Sequence, residues 1–200
     1  MSQSVVYRSS LELETRAWGT MDFYVRKLQE TIASSFAEIT PEQFKWRRQE
    51  KWSAAEIMEH LWLTYRATTT AFDLCLQAGK IATTKPTLQM RIDALMVLKL
   101  EYFPSGRPAP PGTIPQGASP ELVRARIQGD IVAMDESIRK CEERFGSRRD
   151  LVDNPVLGPL TAAEWRKFHW LHARHHARQI ESLKRGMSNT NQSVDQPLTA

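Results

Sequence analysis

Histidines are the residues of this sequence whose spacing could do chemistry. Five are present in the 200 residues, and four of them lie in one segment near the C-terminal end, His169, His172, His175 and His176. At about 100° per residue, a helix places His172 and His176 one turn apart in the middle of its apolar stripe. The same projection places His60, the remaining histidine, centrally on the apolar face of an earlier helix.

Three imidazoles directed at one interior need a common partner, because an unpaired buried polar group costs about 1–3 kcal/mol. Neutral imidazole nitrogens coordinate Zn²⁺ or Ni²⁺ well, and three protein ligands leave a position open, as in catalytic zinc sites. We therefore predict that His60, His172 and His176 bind a divalent metal ion. The alternative is three core histidines, each bonded to a backbone or side-chain oxygen. His169 and His175 are predicted to lie at the surface or at the rim.

Two polar residues lie one turn from the predicted ligands. Gln179 follows His176, and Glu56 precedes His60. Both are candidate catalytic residues that could orient an imidazole or a substrate, with helix capping or simple solvation as the alternative. Cys75 lies several turns beyond His60, so we predict a buried structural thiol there and no protein nucleophile.

Helical periodicity recurs along the sequence, and no stretch shows the sustained two-residue alternation of a strand. The predicted helices run from Leu11 to Glu38, Ser53 to Ala78, Thr87 to Phe103, Ser119 to Gly146 and Thr161 to Gly186, with a short turn at Thr40–Phe44. Capping boxes, SAAE and TAAE, begin the second and the last of these helices. Residues 104–117 are too rich in proline for regular structure. The elements favour an all-α fold, a four-helix bundle with additional short helices in the connections.

Composition indicates one domain over residues 1–186 and a polar, disordered tail over residues 187–200. The net charge is only +4, and the most basic stretch, Lys45–Lys51, is typical of a solvated helix end, so we expect no nucleic acid partner. Cys75 and Cys141 form no CxxC pair, which favours a reducing compartment. Since neither a signal peptide nor an apolar stretch of membrane length is present, we expect a cytoplasmic protein without membrane contact.

Two blocks carry a family resemblance, KWSAAEIMEHL and GPLTAAEWRKFHWLHARHHARQI. They resemble the DinB/YfiT-like superfamily, whose members carry one histidine after W-S-x-x-E-x-x-x-H-L and two in H-x-x-x-H-x-x-Q. The matching positions here are His60, His172, His176 and Gln179. The resemblance extends roughly from residue 11 to residue 183, and it implies helices in up-down-down-up order around a three-histidine zinc or nickel site.

The resemblance also implies candidate chemistry. Characterised relatives are thiol-dependent transferases or isomerases that use bacillithiol, mycothiol or glutathione, and others are described as metal-dependent hydrolases. For this chain it implies a metal-dependent S-transferase or hydrolase with a small-molecule electrophile or thiol as partner. The alternative is a non-catalytic, metal-stabilised stress or interaction module. The metal, the thiol, the substrate and pairing into a homodimer are left open by the sequence.

Overall fold

The computed structural model describes residues 21–37, 39–48, 51–81, 83–104 and 108–194. Four long helices dominate: α1 (Phe23–Phe36), α3 (Ala54–Ala78), α5 (Pro120–Phe145) and α6 (Ala162–Val194). The connections contain α2 (Pro41–Lys45), α4 (Leu88–Ala94), a π-helical turn at Leu95–Lys99, a 3-10 turn at Pro111–Thr113, and a hairpin of β1 (Val152–Asn154) and β2 (Gly158–Leu160). Within the described residues, no helix is long and apolar enough to cross a membrane.

Local capping explains where the helices begin. The Ser53 hydroxyl accepts from the Glu56 amide and the Glu56 carboxylate accepts from the Ser53 amide, as the sequence predicts for α3. Thr161 and Glu164 make the same reciprocal pair at the start of α6. At α1 the Asp22 carboxylate accepts from the amide of Tyr24, so α1 begins at Phe23. The predicted start at residue 11, like residue 38 at its predicted end, lies outside the described residues.

Contacts along the helices establish their relative directions. α3 and α5 run parallel, because Trp62 Nε1 donates to Asp130 while Ser137 donates to Asp73 further along both helices. α6 runs antiparallel to α3, since Tyr65 meets His169 but Phe72 meets Trp165. Arg124 and Gln128, on α5, donate to carbonyls of Phe36 and Gln29, which makes α1 antiparallel to α5. The bundle therefore has the expected all-α, up-down-down-up order.

The core lies between the four helices, and its largest fully buried side chains come from all of them: Leu28, Ile57, Met58, Leu61, Tyr65, Phe72, Ile131, Met134, Ile138 and Leu171, with Leu151 and Leu160 from the hairpin region. One ion-pair cluster joins α5 to α6. The Arg166 guanidinium, 8% exposed, donates to Asp135 at 2.6 Å and to Glu142 at 2.7 Å. These contacts fix how the histidine-bearing helix α6 sits on the rest of the bundle.

Three elements differ from the sequence prediction. The helix predicted over Thr87–Phe103 is α4 followed by the π-helical turn that ends at Lys99. Beyond it the chain turns sharply at Glu101, which has φ of 53°. The hairpin was missed because three-residue strands are too short to show alternation. α6 continues past the predicted end at Gly186 to Val194, and residues 195–200 of the predicted tail lie outside the described residues.

Candidate metal centre

Three ring nitrogens converge inside the bundle. Nε2 of His172 lies 3.2 Å from Nε2 of His60 on α3 and 3.0 Å from Nε2 of His176 on α6. One ligand atom from each ring lies within 4.8 Å of the others, and all three side chains are buried. It is the sole grouping of three or more potential ligand residues of this kind in the part of the chain that the structure describes. The three predicted ligands are thus brought together.

His60 is oriented by the connection between α3 and α5, residues 79–119, which we call the crossover. Its Nδ1 donates to the backbone carbonyl of Thr113 at 2.8 Å, which leaves an Nε2 lone pair facing the cluster. The crossover is held in turn by Glu59, 2% exposed, whose carboxylate accepts from the amides of Gln116 at 2.8 Å and Gly117 at 3.0 Å. Trp52 packs against the His60 ring with centroids 5.0 Å apart. Both the tautomer and the plane of this imidazole are therefore fixed.

Gln179 fixes His176 in the same way. Its Oε1 accepts from Nδ1 of His176 at 2.8 Å, and its Nε2 donates to Nε2 of His175 at 3.0 Å. Since a carbonyl oxygen can only accept, His176 carries its proton on Nδ1 and presents a lone pair at Nε2. Gln179 is one of the two residues predicted to orient an imidazole, and the imidazole that it contacts is that of His176.

The donor set fits a divalent cation. His172 lies between two Nε2 lone pairs, and a proton on its own Nε2 could be shared with only one of them. Its Nδ1 is buried without a hydrogen-bond partner among the described residues. The Nε2 separations of 3.0 and 3.2 Å approach the roughly 3.4 Å that ligands about 2.1 Å from a tetrahedral ion adopt. A cation bound by all three Nε2 atoms would satisfy every lone pair in the cluster.

Burial keeps these imidazoles neutral. It lowers the pKa of His176 to about 3 and lowers that of His172 well below its ordinary value, and the neighbouring histidines act in the same direction. Burial also lowers the pKa of His60, against the opposing effect of the Thr113 carbonyl. Metal coordination requires neutral imidazole, so near neutral pH no proton has to be displaced from a ligating nitrogen.

The cluster opens onto a cavity of about 900 Å³. His60, His172, His176 and Gln179 all line it, together with side chains from α3, α6, the crossover and the β hairpin. Most of the lining is aliphatic or aromatic. Phe103 forms part of this wall and stacks on both His172 and His175, with centroids 5.7 and 5.2 Å apart. A small molecule in this cavity would therefore contact the clustered histidines and a largely apolar wall.

Three other residues considered from the sequence do not belong to the three-histidine cluster. Glu56 bonds to Ser53 and Arg47, so its described contacts serve capping and a surface ion pair and none reaches an imidazole. His175 lines the cavity as a half-buried rim residue, as expected. The expectation for His169 was wrong: it is fully buried, with neither ring nitrogen hydrogen-bonded in the described part of the chain. Its ring packs between Trp165, on the same helix, and Tyr65, on the neighbouring helix α3.

Sequence reasoning missed the residues that support the clustered histidines. The Thr113 carbonyl and the Phe103 ring both come from the crossover. Since every residue has a backbone carbonyl, the sequence cannot show which of them accepts from a histidine. Glu59 did leave a signal, because a carboxylate inside the apolar run IMEHLWL implies a buried partner. Cys75 is buried as predicted, with Sγ 3.2 Å from the carbonyl of Lys80, and it lies outside the cavity lining.

Comparison with known proteins gives one match. No curated protein and no solved structure matches the chain. The sequence model of the DinB superfamily matches residues 24–180, a span that includes α1, α3, α5 and all three clustered histidines. This match covers well over half of the sequence, and the helical bundle and its buried histidine cluster agree with it. The chain belongs to the DinB superfamily.

Proposed function

We propose that this chain is a divalent-metal-dependent enzyme acting on a small molecule, as a thiol-dependent S-transferase or as a hydrolase. The observation that carries the proposal is the convergence of three buried Nε2 atoms, all within 4.8 Å, from helices far apart in the sequence. The rings of His60 and His176 are held with their Nε2 atoms free for an ion by Thr113 and Gln179. A metal used only for stability has no need of the large cavity that meets this cluster.

A zinc or nickel ion held by His60, His172 and His176 would lower the pKa of a bound water or thiol and so supply a nucleophile near neutral pH. The protein provides orientation and shielding. Gln179 and Thr113 fix two of the ligand rings, while Phe103 closes the wall beside the third.

The attacking group is proposed to come from outside the protein. Cys75 and Cys141 do not line the cavity, and burial raises the pKa of the Cys141 thiol to about 12. Thr64 and Thr68 do line it, but their hydroxyls donate to the helix carbonyls of His60 and Thr64 at 2.8 and 3.0 Å. A small-molecule thiol or a water molecule therefore remains as the nucleophile.

Metal analysis is the first test. The wild-type chain, the His172→Ala/His176→Ala variant and the control His175→Ala are each loaded with Zn²⁺ or Ni²⁺, desalted and measured by emission spectrometry. We expect a stoichiometric metal in the wild type and the control and none in the double variant, with helical circular dichroism retained in all three. Absence of metal from the wild type, or equal retention by the double variant, would overturn the assignment.

Turnover is the second test. Consumption of chlorodinitrobenzene with glutathione, bacillithiol or mycothiol identifies the transferase, and release of nitrophenol from p-nitrophenyl butyrate identifies the hydrolase. Either activity should disappear on chelation and return with the metal. A metal-loaded protein that turns over neither substrate class would refute the enzymatic proposal and favour the metal-stabilised module.

A further inference from the structure

One arm of the cavity extends well past the histidines. On α3 it is lined by Thr64, Ala67, Thr68 and Ala71, which share one face at three- and four-residue spacing. The threonine hydroxyls donate back to their own helix, so this wall presents mainly methyl groups. Val97, Trp165 and Phe168 add further apolar side chains to this part of the lining. We name these seven residues the gallery.

The gallery extends along α3. From His60 to Ala71 helix α3 advances about 16 Å at 1.5 Å per residue. The two alanines leave room on one side, whereas the aromatic rings of Trp165 and Phe168 close the other. Apolar surface spread over this length fits an extended aliphatic chain, because burying each CH₂ group away from water is favourable. A compact polar molecule would leave this space unfilled.

Positive charge lies at the opposite end of the cavity. Arg48 and Lys51 line it just before α3 begins, and neither has an ion-pair partner among the residues that the structure describes. Their neighbour Arg47 is paired with Glu56 at 2.6 Å. The carboxylates of the lining, Asp93 and Asp153, belong to α4 and to β1, on the hairpin side. Asp153 accepts there from the amide and hydroxyl of Thr84.

From this order of charge and apolar surface we infer that the cavity binds an elongated anionic amphiphile. The anionic group pairs with Arg48 and Lys51, and the aliphatic chain occupies the gallery. Since His60 lies on α3 between these two ends, the part of the molecule that faces the cluster is the junction of head and tail. An anionic amphiphile would then be the substrate class of the proposed enzyme. Only its conversion, and not its binding, rests on the proposed function.

Dodecanoate is the probe. Its binding to the metal-free protein is measured by calorimetry at low salt, because a carboxylate could otherwise coordinate the metal. Butanoate reports the role of the tail, and dodecyltrimethylammonium reports the sign of the head-group charge. We expect dodecanoate to bind at least about tenfold more tightly than either, since each tenfold step requires only about 1.4 kcal/mol.

Two sets of variants locate the ends. Arg48→Gln/Lys51→Gln should weaken dodecanoate about tenfold and abolish its salt dependence, whereas the charge-matched control Lys85→Gln/Arg126→Gln, at exposed positions outside the cavity lining, should not. Ala71→Trp should weaken dodecanoate and leave butanoate unchanged, with Ala67→Phe as a second, smaller obstruction. Circular dichroism and thermal denaturation verify that each variant is folded.

The inference is overturned if dodecanoate fails to bind, if the cationic amphiphile binds equally well, or if both sets of variants match the control. Failure of the proposed function gives a different result. In that case the wild type binds no metal, or turns nothing over, while dodecanoate binding still depends on chain length and on Arg48 and Lys51. A metal-loaded, active protein that does not bind dodecanoate would support the proposed function and refute this inference.

Discussion

Oε1 of Gln179 accepts a hydrogen bond from Nδ1 of His176 at 2.8 Å, while the amide nitrogen of the same side chain donates to His175. With both ends of the amide engaged, the side chain cannot flip without losing two bonds. The tautomer of His176 is consequently set from outside the cluster, one helical turn away. Supports of this kind tune how tightly a ligating imidazole binds its metal.

Replacement of Gln179 should weaken metal binding while leaving the three ligands in place. For Gln179→Leu we expect a loss of about 10- to 100-fold in affinity, because the Nδ1 proton of His176 loses its acceptor. Competition with a chromophoric chelator measures the change. Gln179→Glu keeps an oxygen acceptor and serves as the control, with affinity at or above the wild-type level. Equal affinity of Gln179→Leu and the wild type would contradict the positioning role.

Glu59 should couple the crossover to the metal centre. Its buried carboxylate accepts from the Gln116 and Gly117 amides, and hydrogen bonds to a charged group contribute about 1.5–3 kcal/mol. In Glu59→Gln an amide N–H₂ replaces one acceptor, so we expect a loss of about 2 kcal/mol in the free energy of unfolding and faster hydrogen exchange at residues 116 and 117. Urea unfolding and exchange NMR are the measurements. Unchanged exchange at both amides would show that the crossover is held by other contacts.

Much of this architecture was predictable because it is specified locally. The caps at Ser53, Ser119 and Thr161 involve residues three positions apart, and the inward face of α6 follows from helical periodicity. The orientation of His60 was not predictable, since it depends on a carbonyl of the crossover 53 residues away.

Stability of the metal-free protein should fall as the pH drops below about 6.5. Burial lowers the pKa of His169 to about 3, so between these values the unfolded chain binds a proton that the folded chain does not. The contribution of this one residue is about 1.4 kcal/mol per pH unit, present above that window and lost as the pH falls through it. Urea unfolding at several pH values should show a smaller slope for His169→Leu. Identical slopes would mean that His169 is protonated in the fold.

The ion pairs of Arg166 should matter more than similar pairs at the surface. Arg166→Met leaves the Asp135 and Glu142 carboxylates without their partner in a largely buried location, and we expect a loss of about 2–3 kcal/mol in unfolding free energy. Arg139→Met is the matched control. Arg139 also pairs with two carboxylates, Glu136 and Glu143, but it is 46% exposed, so its loss should stay below about 1 kcal/mol. Thermal or urea denaturation distinguishes the two, and equal losses would refute the distinction.

The Nε2 atoms of His60 and His172, which we propose as metal ligands, belong to residues separated by 112 positions. A ribosome that has just synthesised the first of these histidines has not yet made the other two, and one imidazole alone holds a divalent ion weakly. Metal uptake, as proposed, must therefore await the synthesis of α6 and its docking against α3. A chain truncated before α6 would keep His60 but lack His172 and His176, so it could not retain the ion. Bound metal would therefore indicate that α6 has docked on the rest of the bundle.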